Sequence, residues 1–344
     1  MKSAARSPEA EVPPVLILAG PTAVGKSALA MALAARTPAE VVAADSMQVY
    51  RGLDVGTAKP TAAERARVPH HLLDVREPWE GFSAAEFAAE AHRLVGEIRA
   101  RGRLPILVGG TGLYLRAFLK GRLAPAPRDP ALRARLHREA QAAGPAALHA
   151  RLAALDAASA ARIHPHDVVR LVRALEIHAL TGRPPSSLRP ALWDAPRTTV
   201  GAFLVLTRAR DELQRLIDAR CAAMWAGGLL DETRRLLAEA RGLAARRLEA
   251  VGYRQAALYL EGRLGEEEAL AAMQRATRAY AKRQMTWFRR EPEALWVPVR
   301  GTDWTAALAA EILRGLAHPE ARGAGWPSVS PGMGGAARHA CLEA

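Results

Sequence analysis

Residues Gly20-Pro21-Thr22-Ala23-Val24-Gly25-Lys26-Ser27 satisfy G-x-x-x-x-G-K-[ST], the spacing of a phosphate-binding loop. Glycines let successive backbone N–H groups close on phosphate oxygens, and the N-terminus of a following helix adds the positive end of its dipole. In that setting Lys26 reaches a terminal phosphate and the Ser27 hydroxyl is a ligand for Mg²⁺. An ordinary nucleotide-hydrolysing loop protein ends another strand in an acidic Mg²⁺ ligand. Here the run Pro105–Val108 ends instead in Gly109-Gly110-Thr111, and the acid stands after a different apolar run, at Asp45. Asp45 can serve as a metal ligand, as a base facing the phosphate end of the site, or as a helix cap or turn residue, a use that the neighbouring Ser46 favours.

A second candidate is Arg220. In a helix from Asp211, Leu213, Ile217 and Met224 share one stripe, and Arg220 falls in its middle at 100° per residue. A cation facing inward needs an anion, either a bound ligand or an internal salt-bridge partner. His164, His166 and Asp167 cluster as metal ligands do, yet no fourth ligand has suitable spacing. Asp167 directly precedes the periodic run VVRLVRALEI and reads as an N-cap. Arg275, Arg278, Lys282 and Arg289 recur at helical spacing, with Tyr280 and Trp287 on other faces. That face either tracks a sugar-phosphate backbone or is simply solvated.

These residues need a frame that brings strand ends together. Residues 15–19 read as a short buried strand, 28–36 as a helix, 40–44 as a second strand and 104–108 as a third. Ser83 and Glu86 have capping-box spacing and open a helix to about residue 100. Strands alternating with helices predict a parallel α/β sheet, whose strand ends face the ligand crevice. From about Pro125 helix formers dominate to residue 182, 201–206 return to strand, and helices follow from Asp211 to about Tyr280 and beyond. The expected organisation is a flexible N-terminus (1–13), a core (14–124), a helical insertion (125–195), a mostly helical second part of the core (196–317) and a disordered tail (318–344), rich in Gly, Pro, Ala and Ser.

The chain has 344 residues and a net charge of +13, which favours a polyanionic partner. Of its 48 basic residues only five are lysines, Lys2, Lys26, Lys59, Lys120 and Lys282, so those five are candidates for duties that need an ammonium. Cys221 and Cys341 are its two cysteines; they fit no metal spacing and are too few for a disulfide framework, which points to a cytoplasmic enzyme. No apolar run reaches the ~18 residues of a membrane span, and no signal-peptide pattern opens the chain.

Longer stretches then carry a resemblance. DSMQVYRG at 45–52 continues to GTAKP at 56–60, and with the loop GPTAVGKS it resembles the tRNA dimethylallyltransferases, also called tRNA isopentenyltransferases. PHHLLDV (69–75), FSAAEF (82–87), LVGGTGLYLRA (107–117) and RIHPHDVVRLVRALE (162–176) agree. So do GLLDETRRL (228–236), VGYRQ (251–255) and RAYAKRQMTWFRR (278–290). The resemblance spans about residues 14 to 292. His166 departs from it, where bacterial members often have Asn, and the C-terminal zinc finger of eukaryotic members is absent.

The resemblance implies a P-loop NTPase-like parallel sheet with a mostly helical insertion, acting as a monomer that spends no nucleotide. The loop would hold dimethylallyl diphosphate, with Mg²⁺ as cofactor. The prenyl group would pass to N6 of the adenosine on the 3′ side of the anticodon, in tRNAs reading codons that begin with U. It further implies that Asp45, Thr111 and Arg220 are catalytic, Arg220 binding the diphosphate. Asp45, Ser46, Met47 and Gln48 would contact tRNA, with Thr111, Arg133, Val169, Arg170, Leu171, Val172, Arg173, Arg247, Leu248, Glu249, Ala250, Val251 and Gly252. An exocyclic adenine amine is a weak nucleophile, so a carboxylate in reach of its proton is what the chemistry asks of Asp45. The competing reading of the same loop is a small-molecule or nucleotide kinase. That reading expects a conventional acidic second strand and a lid with paired arginines, and neither is evident in the sequence.

Overall fold

The computed structural model describes residues 14–120, 127–188, 198, 200–239, 250–321 and 326–327. Strands β1 (Leu16–Ala19), β2 (Ala39–Ala43), β3 (His70–His71), β4 (Leu104–Gly109), β5 (Ala202–Thr207) and β6 (Leu295–Pro298) form one sheet. Its order is β3-β2-β4-β1-β5-β6, with every neighbouring pair parallel. The four inner strands are buried along their whole length. That is why they read as apolar runs rather than alternating ones: helices cover both faces of a parallel sheet. Glu40 is the exception in β2, and its buried carboxylate accepts hydrogen bonds from Arg101 at 3.0 and 2.7 Å.

The sequence placed the inner strands to within a residue, and the capping box as well. Ser83 Oγ accepts from the Glu86 N–H, and Glu86 Oε2 accepts from the Ser83 N–H. Three helices flank the first strands: α1 (Lys26–Ala34), α2 (Ala62–Arg67) and α3 (Ala84–Ala100), while α4 (Gly112–Leu119) follows β4. Helix α1 begins at Lys26, two residues before the expected start, because Gly25 at φ 110° caps it directly.

Contacts divide the chain into two compact units, one of residues 1–116 with 199–344 and one of Ala117–Thr198. The second has its own core of Leu132, Leu136, Leu148, Leu152, Leu171 and Leu175. These residues come from α5 (Pro130–Ala143), α6 (Pro145–Leu155) and α8 (Val168–Thr181), with the short α7 (Ala157–Ala160) between. The unit is wider than the span 125–195 read from composition. In the first unit α9 (Arg210–Met224) leads through a π turn, Trp225–Leu229, into α10 (Leu230–Glu239), with Gly227 and Gly228 off the helical path. Helices α11 (Tyr253–Leu260), α12 (Glu266–Phe288) and α13 (Thr305–Ala317) complete it. The expectation of disorder from residue 318 is corrected at its start. Pro319–Ala321 form a 3-10 turn, and Trp326 packs on the main core with its indole N–H donating to the Glu311 carbonyl. Residues 1–13, 322–325 and 328–344 lie outside the described residues.

Candidate active site

β1, β2 and β4 lie side by side, so the turns after them converge at the carboxyl edge of the sheet. The turn after β1 is the glycine loop. A Cβ at Gly20 (φ 136°) would lie 2.6 Å from the Leu206 carbonyl oxygen, and one at Gly25 2.7 Å from the Trp304 ring. Sterics and backbone angle both require glycine at these two positions. Lys26 Nζ donates to the carbonyls of Gly20 (3.0 Å) and Pro21 (2.8 Å), so the ammonium sits inside its own loop. Burial, then the nearby Arg220 guanidinium, bring its pKa down to about 7, while Asp45 pulls the other way.

The turn after β2 carries Asp45. Its Oδ1 accepts from the N–H groups of Met47 (2.8 Å) and Gln48 (3.4 Å), so the turn-residue use holds. Its other oxygen has no hydrogen bond to the described residues, which leaves that oxygen for a ligand. Thr111 follows β4; its hydroxyl accepts from the Ser46 N–H at 3.0 Å and lies 3.4 Å from Ser46 Oγ. Thr111 thus ties the turn after β4 to the turn after β2. Arg220 reaches the same place from α9, with Ile217 buried and Leu213 partly buried on its stripe. Burial lowers its pKa and Asp45 raises it. Among the described residues no carboxylate lies within salt-bridge distance of Arg220.

A cavity of about 450 Å³ collects Lys26, Ser27, Asp45 and Arg220, while Thr111 stands behind its lining, bonded to Ser46. Thr22, Ala23, Lys26 and Ser27 form one wall, Asp45 to Gln48 a second, and Arg220 with Ala250 and Val251 a third. Val24 is fully buried behind the loop. Gly252, at φ 95°, opens α11 with its N–H donating to Gln255 Oε1. Ser27 is exposed at the first turn of α1. One hydroxyl and one carboxylate, with no group of three His, Cys, Asp or Glu among the described residues, are too few for a closed metal cage. They suit a hard cation that keeps its waters and takes substrate phosphate oxygens, as Mg²⁺ does.

The sequence missed the contribution of α12. Thr277, Tyr280 and Gln284 line the cavity. Gln284 Oε1 accepts from the Thr22 N–H (2.9 Å) and its Nε2 donates to the Gly110 carbonyl (3.1 Å), fastening the glycine loop to the end of β4. Burial and the charge of Asp45 hold the Tyr280 phenol protonated well above its ordinary range. The signal was present: Met273, Thr277, Tyr280 and Gln284 recur at helical spacing on a face where buried polar groups need partners.

The remaining site residues fall in the helical unit. Asp167 caps α8, its Oδ1 accepting from the Arg170 N–H at 3.1 Å. Val169 is 72 % exposed and the Arg170 side chain projects to solvent. Leu171 and Val172 are corrected: both are buried in the unit's core and offer no side chain to a nucleic acid. Arg133 and Arg173 both bind the fully buried Glu176, at 2.5 and 2.6 Å. Arg278, read as part of a basic face, is paired with Asp218. Arg247, Leu248 and Glu249 lie outside the described residues.

A glycine loop between a buried strand and a helix, with an acid and two cations converging on it, defines an α/β protein of the P-loop NTPase-like class built to hold a phosphorylated ligand. Residues 48–291 match the family model described as IPP transferase. A protein named tRNA dimethylallyltransferase from Anaeromyxobacter dehalogenans is 55% identical over 283 residues, 82% of this chain and 94% of that one. Another of that name from Symbiobacterium thermophilum is 49% identical over 302 residues, 88% and 94% of the two chains. A crystal structure described as a tRNA isopentenylpyrophosphate transferase from Bacillus halodurans is 38% identical and superposes with a TM-score of 0.62, covering 90% of this chain and 99% of that one. One described as a eukaryotic dimethylallyltransferase acting on tRNA gives a TM-score of 0.73 at 26% identity, covering 88% and 79%. The chain belongs to the IPP transferase family.

Proposed function

We propose that the protein transfers a dimethylallyl group from dimethylallyl diphosphate to N6 of the adenosine 3′ to the anticodon in tRNAs reading codons that begin with U. The products are N6-isopentenyladenosine and diphosphate. The observation that carries this reading is the juxtaposition, in one cavity, of an anion cradle and a carboxylate with an uncommitted oxygen. The cradle is the glycine loop with Lys26 and Arg220, and the carboxylate is Asp45. Two cations facing one carboxylate leave positive charge for the diphosphate to neutralise.

In this reading Asp45 accepts the proton from the adenine amine as the new carbon–nitrogen bond forms. Carbon–oxygen cleavage builds negative charge on the departing diphosphate, which backbone N–H groups, Lys26 and Arg220 stabilise. Ser27 and the diphosphate oxygens would hold Mg²⁺, which would supply further charge neutralisation there. Thr111 fixes the turn that carries Asp45 and Ser46 and donates toward the leaving oxygen. The RNA side falls to Ser46–Gln48, to Ala250–Gly252, and to Val169, Arg170 and their neighbours in the helical unit. The protein acts as a monomer in the cytoplasm; no helix among the described residues is long and apolar enough to cross a membrane.

The test combines purified protein, unmodified tRNA and Mg²⁺ with either dimethylallyl diphosphate or ATP, followed by mass analysis of the tRNA nucleosides. A mass gain of one dimethylallyl group on a single adenosine, with the diphosphate substrate alone, is the expected result. Coupled, stoichiometric cleavage of ATP instead overturns it.

A further inference from the structure

Glu232, in α10, is 2 % exposed, and its carboxylate meets no basic side chain among the described residues. Four donors converge on it instead. Oε2 accepts from the backbone N–H groups of Asp54 (2.7 Å) and Val55 (2.9 Å), and Oε1 from that of Gly56 (3.0 Å) and from the Tyr253 hydroxyl (2.5 Å). Three successive amides turned onto one carboxylate form a concave cradle. The Tyr253 phenol stays a donor, because burial and the Glu232 charge raise its pKa far beyond the ordinary range. An apolar residue at 232 would leave those amides buried and unpaired, which is costly.

The turn so held is a wall of the cavity. Gly56 lies against the Tyr253 ring, where a Cβ would come within 2.5 Å of it. Gln48 Nε2 donates to the carbonyls of Thr57 (3.0 Å) and Ala58 (3.3 Å), which follow directly. Lys59 Nζ closes the far end through the Tyr50 carbonyl (2.5 Å), Asp54 (2.7 Å) and Asp74 (2.5 Å). Tyr253, the other partner of Glu232, stands next to the Ala250–Gly252 wall. A single buried carboxylate therefore joins two walls of the cavity, and neither is the glycine loop.

We infer that Glu232 is a positioning residue for the acceptor base: it fixes the 54–58 turn, and through that turn Gln48, relative to the Ala250–Gly252 segment. The inference rests on the reading of the site under Proposed function and adds a residue to it. Misplacing a substrate by about 1 Å can cost on the order of 10²-fold in rate, and the effect belongs to the RNA substrate, because Lys26, Arg220 and the glycine loop make no contact with Glu232.

Glu232→Gln keeps the size but turns an N–H₂ toward backbone donors. Hydrogen–deuterium exchange over residues 48–58 needs no substrate and is expected to rise in the variant. With anticodon stem-loop RNA, kcat/KM is expected to fall roughly 10-fold to 100-fold, while KM for dimethylallyl diphosphate stays within about threefold. Tyr253→Phe removes only one of the four donors and is expected to give a smaller loss in the same direction. Unchanged exchange, or equal loss on the RNA and diphosphate sides, overturns the inference. Should Glu232→Gln not fold, Tyr253→Phe decides alone, and an unaltered kcat/KM for RNA overturns it. A wild-type protein that does not prenylate RNA refutes the function, whereas the exchange result still reports on the clamp.

Discussion

Arginines near carboxylates occur in both units, and they are used in opposite ways. In the helical unit Arg133 and Arg173 converge on Glu176, which is fully buried and also accepts from the Asp129 N–H at 3.0 Å. Burial alone would raise the Glu176 pKa, but the hydrogen bonds from Arg133 and Arg173 outweigh it and the pKa lies below its ordinary value. In the sheet unit Lys26 and Arg220 feel the charge of one carboxylate, Asp45, without an ion pair to it, and Asp45 spends an oxygen on its own turn. Both clusters set two cations against one carboxylate, but in the first both arginines are bonded directly to it. In the second no ion pair forms with either cation among the described residues, and burial, then the nearby Arg220, bring Lys26 to about 7. A cation cluster that the protein does not neutralise is one that a ligand neutralises.

The sharpest test of this contrast is at its pivot. Asp45→Asn keeps the shape and the bonds to Met47 and Gln48 but removes the base. Loss of a general base costs roughly 10² to 10⁴ in rate. That drop is expected in single-turnover kcat, with RNA and diphosphate affinities changed only a few-fold. If Asp45 instead serves the metal, excess Mg²⁺ restores the variant to near the wild-type rate, and a Mg²⁺ titration of both proteins separates the two roles.

Next in size is the exchange of stability for function between the clusters. Glu176→Ala removes the shared carboxylate from two partly buried guanidinium groups and from a backbone N–H, although Arg173 keeps its bond to the Pro127 carbonyl. Removing one partner of a buried ion pair costs about 3–5 kcal/mol, to be read as a lower chemical-denaturation midpoint. Arg220→Gln should do the reverse. Removing an inward cation that has no ion-pair partner should not lower stability, while binding of dimethylallyl diphosphate weakens or its cleavage slows. A loss of several kcal/mol on Arg220→Gln would make it a structural cation and collapse the comparison.

How much of this was legible depended on whether a residue's neighbours in sequence set its environment. The glycine loop, the strand preceding it and the Ser83 box are local devices, so spacing alone located them. Arg220 was legible because a cation on an apolar stripe conflicts with its surroundings. Gln284 was not: its partners, Thr22 and Gly110, are supplied by strands far away in the chain. Lys59 fell within a motif, but its three acceptors around one ammonium emerge only when Tyr50, Asp54 and Asp74 fold together. Leu171 and Val172 show the converse error. A contiguous motif was carried over as a contact surface, although the helix turns Leu171, Val172, Ala174 and Leu175 inward on its i, i+3, i+4 face.

A smaller effect follows from the proton on Lys26. Below pH ~7 the free protein carries that proton, and above it the ammonium is increasingly neutral. An alkyl diphosphate is fully ionised there, its last pKa being about 6, and favours the protonated lysine. Binding at pH 8 should therefore take up a proton. Affinity for the diphosphate should fall by up to about tenfold per pH unit above 7, until the pKa of the bound state is reached. Calorimetry in buffers of different ionisation enthalpy measures the uptake. In Lys26→Ala the uptake should vanish and prenyl transfer with it, while RNA binding persists; equal loss of RNA affinity would remove Lys26 from the diphosphate end.

The smallest expected effect lies at the edge of the satisfied cluster. Arg170 is one turn's neighbour of Arg173 on α8, yet its side chain is 68% exposed and its only ion pair among the described residues is the local one to Asp167 at 3.0 Å. Surface pairs of this kind contribute about 0–1 kcal/mol, so Arg170→Ala should leave stability almost unchanged. If Arg170 meets an RNA phosphate, the variant should bind all tRNA substrates a few-fold more weakly. The slope of log K against log salt should drop by about 0.7 to 0.9, the value for one phosphate contact. Arg173→Ala, one helical turn on, should show the opposite pattern, a loss of stability from the buried Glu176 with little change in the salt slope. If the two variants behave alike, exposure does not separate the arginines that the fold consumes from those that the RNA uses.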